Sequence, residues 1–267
     1  MRKVRALAGM TAGLMLLSAS AALAQAGDNT VTVIHGVPGL TVDVYVNGDL
    51  TLEDFAPETI TDPLSLPAGT YEIEIYAADA DPEADEPAIA GSATLPGGAN
   101  ATLIAHLAAD GAPTLTPFVN DVAATEAGEG RLTVRHTAAA PAVDVRAGGE
   151  VVFSNLTNPN EAKADLAAGT VSADVVLAGT STVALGPADV TISEGVSTIV
   201  YAIGSAEDGN LGLLVQTISG LHSAPAGVPS GTGGLVDDAL PLWAVALMLV
   251  GLAGLAAPAV AAVRRRS

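Results

Sequence analysis

Residues 30–44 of this chain read TVTVIHGVPGLTVDV, and residues 131–145 read RLTVRHTAAAPAVDV, aligned without a gap. Thr32, Val33, His35, Val42, Asp43 and Val44 recur as Thr133, Val134, His136, Val143, Asp144 and Val145. Further on, Ala68-Gly69-Thr70 returns as Ala168-Gly169-Thr170, one residue out of step. Solenoid units recur every 20–50 residues or so and cannot bury a core alone, whereas a period near 100 means duplicated whole domains. Copies of roughly 90 residues are long enough to bury a core without a staple. The chain has no cysteine, so neither disulfides nor thiolate metal sites are available and packing alone must stabilise each copy.

Within each copy the periodicity is that of strands. Valines take every second place in Val31-Thr32-Val33 and in residues 41–46, and Asn47-Gly48 supplies the left-handed turn of a two-residue hairpin. Residues 71–76 alternate cleanly, and residues 64–66, 88–95, 101–108 and 114–119 complete about seven short strands. The second copy repeats the scheme around Gly148-Gly149, with Ile192 to Ile203 matching Leu95 to His106. Short strands separated by turn residues, with no long 3.6-period segment, predict an all-β chain of two tandem immunoglobulin-like β-sandwiches. The predicted domains are residues 27–121 and 131–218, joined by a small acidic linker over 122–130.

Both ends differ in composition. Residues 1–26 read as a secretory signal peptide: Arg2, Lys3 and Arg5, an apolar run over 6–17, then Ala22-Leu23-Ala24 and Ala24-Gln25-Ala26 as cleavage sites. Residues 219–238 form a Ser/Gly/Pro spacer. Residues 239–263 carry no charge and can span a bilayer as a tilted transmembrane helix, with Trp243 near one end and Arg264, Arg265 and Arg266 beyond the other. The arginines place residues 264–267 in the cytoplasm and the preceding region outside the cell.

Six of the ten basic residues sit in those end segments. Between Arg5 and Arg264 only Arg131, Arg135, Arg146 and Lys163 stand against all 29 acids. Such a surface repels phosphates, which excludes nucleic acid as a partner, and suits a solvated extracellular domain. Candidate chemistry is sparse. His35 and Asp43, with their equivalents His136 and Asp144, are repeated polar positions that a small metal or polar site would need. Period-2 alternation instead puts the aspartates opposite the neighbouring valines, toward solvent or turn backbone. Asp79, Asp81, Glu83 and Asp85 place oxygens at alternate positions of one loop, as calcium ligands often are, but without the mid-loop glycine of a helical calcium loop. No Gly-x-Ser-x-Gly elbow and no Gly-Lys-Ser/Thr phosphate loop occurs, so the sequence points to no catalytic residue and no cofactor.

The Val-x-Val-x-His strand, Pro-Ala-Val-Asp-Val at residues 141–145 and Leu-Ala-Ala-Gly-Thr at 166–170 resemble domain-of-unknown-function family 4397, over residues 30–121 and 131–217. The first copy departs with Leu40-Thr41 before Val42, the second with Arg146-Ala147 where Tyr-Val is usual. The resemblance implies a secreted or surface-attached, mainly bacterial β-sandwich domain, often in tandem, and brings no activity with it. The C-terminus resembles tripartite surface-sorting tails, with Gly231-Thr232-Gly233-Gly234, an apolar segment and an arginine cluster, though without Leu-Pro-x-Thr-Gly. The expectation is a non-catalytic cell-surface protein, held by its C-terminal helix or processed to another anchor. It would serve binding, adhesion or spacing, with a surface protein or glycan as ligand. The alternatives are a cation- or ligand-binding extracellular module and an enzyme acting on envelope polymers.

Overall fold

The computed structural model describes residues 27–222. The expected signal peptide, transmembrane helix and cytoplasmic tail lie outside the described residues, and no described helix is long and apolar enough to cross a membrane. The first repeat holds β1 (Asn29–His35), β2 (Val42–Val46), β3 (Asp49–Phe55), β4 (Leu64–Leu66), β5 (Gly69–Ala77), β6 (Ile89–Leu95), β7 (Asn100–Leu107) and β8 (Pro113–Val119). The second holds β9 (Glu129–His136), β10 (Val143–Ala147), β11 (Glu150–Leu156), β12 (Glu161–Ala167), β13 (Gly169–Leu177), β14 (Val183–Ile192), β15 (Val196–Ile203) and β16 (Gly212–Ser219). The expected linker therefore ends at β9, and the expected spacer begins inside β16, whose last residue is Ser219.

The duplication is carried through the topology. The first repeat forms sheets in the order β4-β1-β7-β8 and β3-β2-β5-β6; the second forms β12-β9-β15-β16 and β11-β10-β13-β14, strand for strand the same. In each repeat the first and seventh strands pair in parallel, with Thr32 beside Thr102 and Thr133 beside Ile199, while every other ladder is antiparallel. The β-sandwich character is as expected, but the strand order is not that of an immunoglobulin domain, where the second strand pairs with the first and the third joins the opposite sheet. The tight turn is the cause. Asn47 and Gly48 both take positive φ, 54° and 85°, which keeps β2 and β3 side by side in one sheet.

Each repeat has its own core. Val31, Leu103 and Ala101 of one sheet pack with Val42, Val44, Ile73 and Ile75 of the other. In the second repeat Leu132, Val134 and Val200 meet Val143, Val145 and Val175. A third apolar cluster belongs to neither repeat alone: Ile34, Ile104 and Phe118 pack with Ile199, Tyr201 and Ile203. The outward faces of β4-β1-β7-β8 and β12-β9-β15-β16 thus meet as a seam. The approach is close enough that a Cβ on Gly36 would lie 3.0 Å from Ile203 Cγ2 and 3.1 Å from the Ala105 carbonyl.

The two faces of the seam are not alike, although they descend from one pattern. Ile34 corresponds to Arg135, Ile104 to Tyr201, and by strand register Thr102 to Ile199 and Phe118 to Gln216. Where one face is apolar the other has become polar. Arg135, only 1 % exposed, lies 4.2 Å from the centre of the Phe118 ring. It donates to Glu161 at 2.8 Å and to the Tyr201 hydroxyl at 2.6 Å. Tyr201 donates in turn to Gln216 Oε1 at 2.7 Å, and Thr102 of the first repeat donates to the same oxygen at 3.0 Å. Asn120 then donates to Thr102 Oγ1 and to Asn100 Oδ1. A continuous hydrogen-bonded chain crosses the seam, so its buried polar groups are satisfied.

Because each repeat has a complete strand set and core, residues 27–122 and 123–222 made as separate polypeptides are expected to fold, and because their seam faces are complementary they are expected to recombine. Circular dichroism of each piece should show β structure, and size-exclusion chromatography of the mixture should show a 1:1 complex. Either piece behaving as coil, or a mixture of two non-interacting monomers, would contradict this.

Candidate functional site

The repeated polar residues hold the frame. His35 ends β1, and its ring Nε2–H donates to the Leu40 carbonyl at 2.7 Å; His136 ends β9 and donates to the Pro141 carbonyl at 3.0 Å. In both repeats the contact is five residues long and pins the loop that enters the next strand. Because a carbonyl only accepts, these contacts fix the proton on Nε2. The Val37 amide approaches His35 Nδ1 at 3.4 Å, whereas His136 Nδ1 is buried with no protein partner. Burial lowers the pKa of both rings, partly offset by their carbonyl contacts.

The aspartates clamp a bulge. Asp43 Oδ1 accepts the Asp54 amide at 2.8 Å, and Asp144 Oδ1 accepts the Asn155 amide at 2.7 Å. Asp54 and Asn155 have φ of 50° and 53°, and the β2–β3 and β10–β11 ladders slip register beside them. Each bulge frees an amide, and the carboxylate eleven residues earlier receives it. The two repeats then diverge. Asp144 also accepts the Gly179 amide at 2.9 Å and is 8 % exposed, so of the two expected settings, solvent or turn backbone, it takes the turn backbone. The short turn after β13 folds over it, where the first repeat has its longer acidic loop. The two backbone amides hold the Asp144 carboxyl below the usual carboxylate range.

Asp79, Asp81, Glu83 and Asp85 are all exposed. Asp85 accepts the Asp81 amide at 2.9 Å and Asp81 accepts the Glu83 amide at 3.0 Å, so two of the four carboxylates stabilise the loop's own turns. Among the described residues no group of three or more His, Asp or Glu side chains is placed to hold a metal ion. A third buried ring, His106, donates from Nδ1 to the Leu107 carbonyl at 2.9 Å, leaving Nε2 to accept from Thr116 at 2.8 Å. Its pKa is lowered by burial and by the nearby His136, against the Leu107 and Thr137 backbone contacts that raise it.

The four internal bases are all in ion pairs and all in the second repeat. Arg131 grips Asp165 through Nε at 2.8 Å and Asp121 through Nη1 at 2.9 Å, Lys163 reaches Asp121 at 2.6 Å, and Arg146 pairs with Asp174. Asp121 closes the first repeat, so two cations of the second tie it down. The contacts with Lys163 and the Ala123 amide lower its pKa.

Sequence reasoning missed the feature best shaped for a ligand, a crevice of about 400 Å³ beside the seam. Its lining includes Thr32, Thr61 and Asn100 of the first repeat and Gln216 of the second, with Ile60 and Ile218 as apolar patches. No ionisable side chain lines it. It arises from the packing of one repeat on the other, which leaves no local pattern in either.

Two sheets around one core, repeated in tandem, define a duplicated β-sandwich protein. Residues 29–146 match the model of the family described as Domain of unknown function (DUF4397), the family the strand motifs resemble, and the chain is a DUF4397 domain-containing, β-rich protein. The match takes in the whole first repeat and runs on through β9 into β10. No curated protein matches the chain.

Two outcomes test the frame. Asp144→Asn is expected to lower the melting temperature by several degrees and Asp43→Asn by less, since an amide keeps one acceptor oxygen: the first substitution turns an NH2 group on the Asn155 or Gly179 amide, whereas the second can keep its single contact with the Asp54 amide. Equal effects in parallel melts would contradict the difference in burial. The pH dependence should have two stages. The unfolded histidines take up protons near pH 6.5 while the folded ones resist, so stability present above that value falls as pH drops below it. Asp121, Asp144 and Asp174 have lowered folded pKa values, so their contribution holds above about pH 4 and is lost below it. Thermal melts between pH 8 and 3 should resolve both stages, and His106→Gln should flatten the first.

Proposed function

We propose that this protein is a non-catalytic cell-surface module that binds a neutral, hydrogen-bonding ligand in the seam crevice and holds it off the membrane. The observation that carries the reading is the crevice itself. Its volume is within the range of small-ligand sites, and its hydroxyl and amide groups beside short apolar patches suit a glycan or an uncharged protein segment. The absence of charge there contrasts with the acid excess of the chain. The buried histidines and Asp144 support a non-catalytic role, being engaged with loop and bulge backbone. Surface exposure and a membrane anchor over residues 239–263 rest on the sequence alone.

A glycan and envelope-fraction pull-down with the full chain tests this. Thr30→Arg, at an exposed position on the first repeat's side of the crevice, should weaken capture by about tenfold or more with unchanged melting temperature. Undiminished capture, or turnover of the polymer, would overturn the reading. In the same cells the full chain should sediment with membranes and a chain ended after Asp238 should appear in the medium. A mature surface protein lacking residues 239–267 would favour the sorting tail over a permanent helix.

A further inference from the structure

The two sandwiches are closed along opposite margins. In the first repeat β6 packs on β8, whereas in the second β11 packs on β12. β3 and β4, the first repeat's counterparts of β11 and β12, stand further apart. Between them a cavity of about 170 Å³ enters the sandwich beside Val33, Val46, Leu52, Leu64 and Leu66. The second repeat puts larger side chains there. Phe153, 9 % exposed, takes the place of Leu52, Val152 that of Thr51, and β12 runs for seven residues where β4 has three. Its own opening lies on the β14 side, by Leu185 and Leu213, and measures about 40 Å³. Asp49 and Thr51, both exposed, line the outer part of the first repeat's cavity together with Tyr71. The Tyr71 hydroxyl donates to the Pro67 carbonyl at 2.8 Å, which fixes the ring. Among the described residues no cation pairs with Asp49.

We propose that this cavity is a second binding site, which takes a small organic ammonium ion with a phenyl-sized apolar body. The body follows from volume and lining. An apolar cavity of about 150 Å³ takes up benzene, so a ring of that size fits between the sheets. The head group follows from charge. The Asp49 carboxylate lies at the rim without a cation, and the Tyr71 ring beside it offers a face to one. The acid excess of the chain concentrates cations near this surface and repels an acidic ligand of the same shape. A bare metal ion would meet one carboxylate and an apolar wall, too few ligands to hold it. β1 separates this site from the seam crevice: Val31 and Val33 line the cavity, Thr30 and Thr32 the crevice. No residue is shared, so failure of the crevice reading leaves this site standing.

Titration of the full-length protein with benzylammonium, benzyl alcohol and methylammonium, followed through the methyl resonances of Val33, Val46 and Leu66, tests body and head group separately. Benzylammonium should shift those resonances saturably. Benzyl alcohol should bind about tenfold more weakly, and methylammonium should leave them unmoved. Asp49→Asn should bring benzylammonium down to the level of the alcohol. Leu52→Phe, which copies the second repeat, should abolish binding of both, and Thr30→Arg in the crevice should change neither. Should Leu52→Phe fail to fold, the exposed Asp49→Asn decides by itself. No saturable shift with benzylammonium at millimolar concentration, equal affinity for the alcohol, or binding that survives Asp49→Asn or a folded Leu52→Phe would each overturn the proposal.

Discussion

Arg135 is the residue on which the arrangement of the two repeats turns. A guanidinium at 1 % exposure loses its hydration, and the loss is tolerable only because every face of the group is met by protein. Phe118 covers one side of the plane, Glu161 supplies the opposite charge and Tyr201 takes a further N–H. Two of those partners come from the second repeat and one from the first. An arginine in this position therefore specifies which face of the first sandwich can dock, since a face without an aromatic ring at 118 would leave the cation uncovered. A hydrophobic residue would have packed as well but discriminated less.

The distribution of charge follows the same division. The first repeat contains neither lysine nor arginine, and all four internal bases lie in the second. Three of their five ion pairs stay within the second repeat's sheets, and the other two, from Arg131 and Lys163, meet on Asp121, where one repeat hands over to the next. Among the described acids of the first repeat only Asp121 meets a cation, so screening by salt relieves repulsion within that repeat more than within its neighbour.

What the sequence made legible was whatever the duplication wrote twice. The hairpin at Asn47-Gly48, the histidine at the end of the first strand and the aspartate of the second were visible because both copies keep them. The seam was hidden for the opposite reason. Ile34 against Arg135 and Phe118 against Gln216 look like drift between copies, yet those differences are what make the two faces fit. β3 and β12 were also missed: DLTLEDF and EAKADLA do alternate polar with apolar residues, but they contain none of the valines and isoleucines that mark most of the other strands. For Asp144 the choice between solvent and turn backbone stayed open, since periodicity says which way a side chain leaves the sheet and nothing about a loop that folds back over it.

The parallel pairing of first and seventh strands has a consequence for the order in which the molecule is made. β1 and β9 sit at the centre of their sheets, each between an antiparallel neighbour and a parallel one some seventy residues downstream, as with Thr32 and Thr102. Neither sheet can be completed until almost the whole repeat has emerged, so loop-closure entropy is spent late and the search is dominated by distant contacts. Meanwhile Ile34, buried in the finished seam, waits for β15 of the other repeat, still further along the chain. A polypeptide wired this way stays without its native sheets through most of its synthesis, and the seam face of its first repeat is the last apolar surface to be covered.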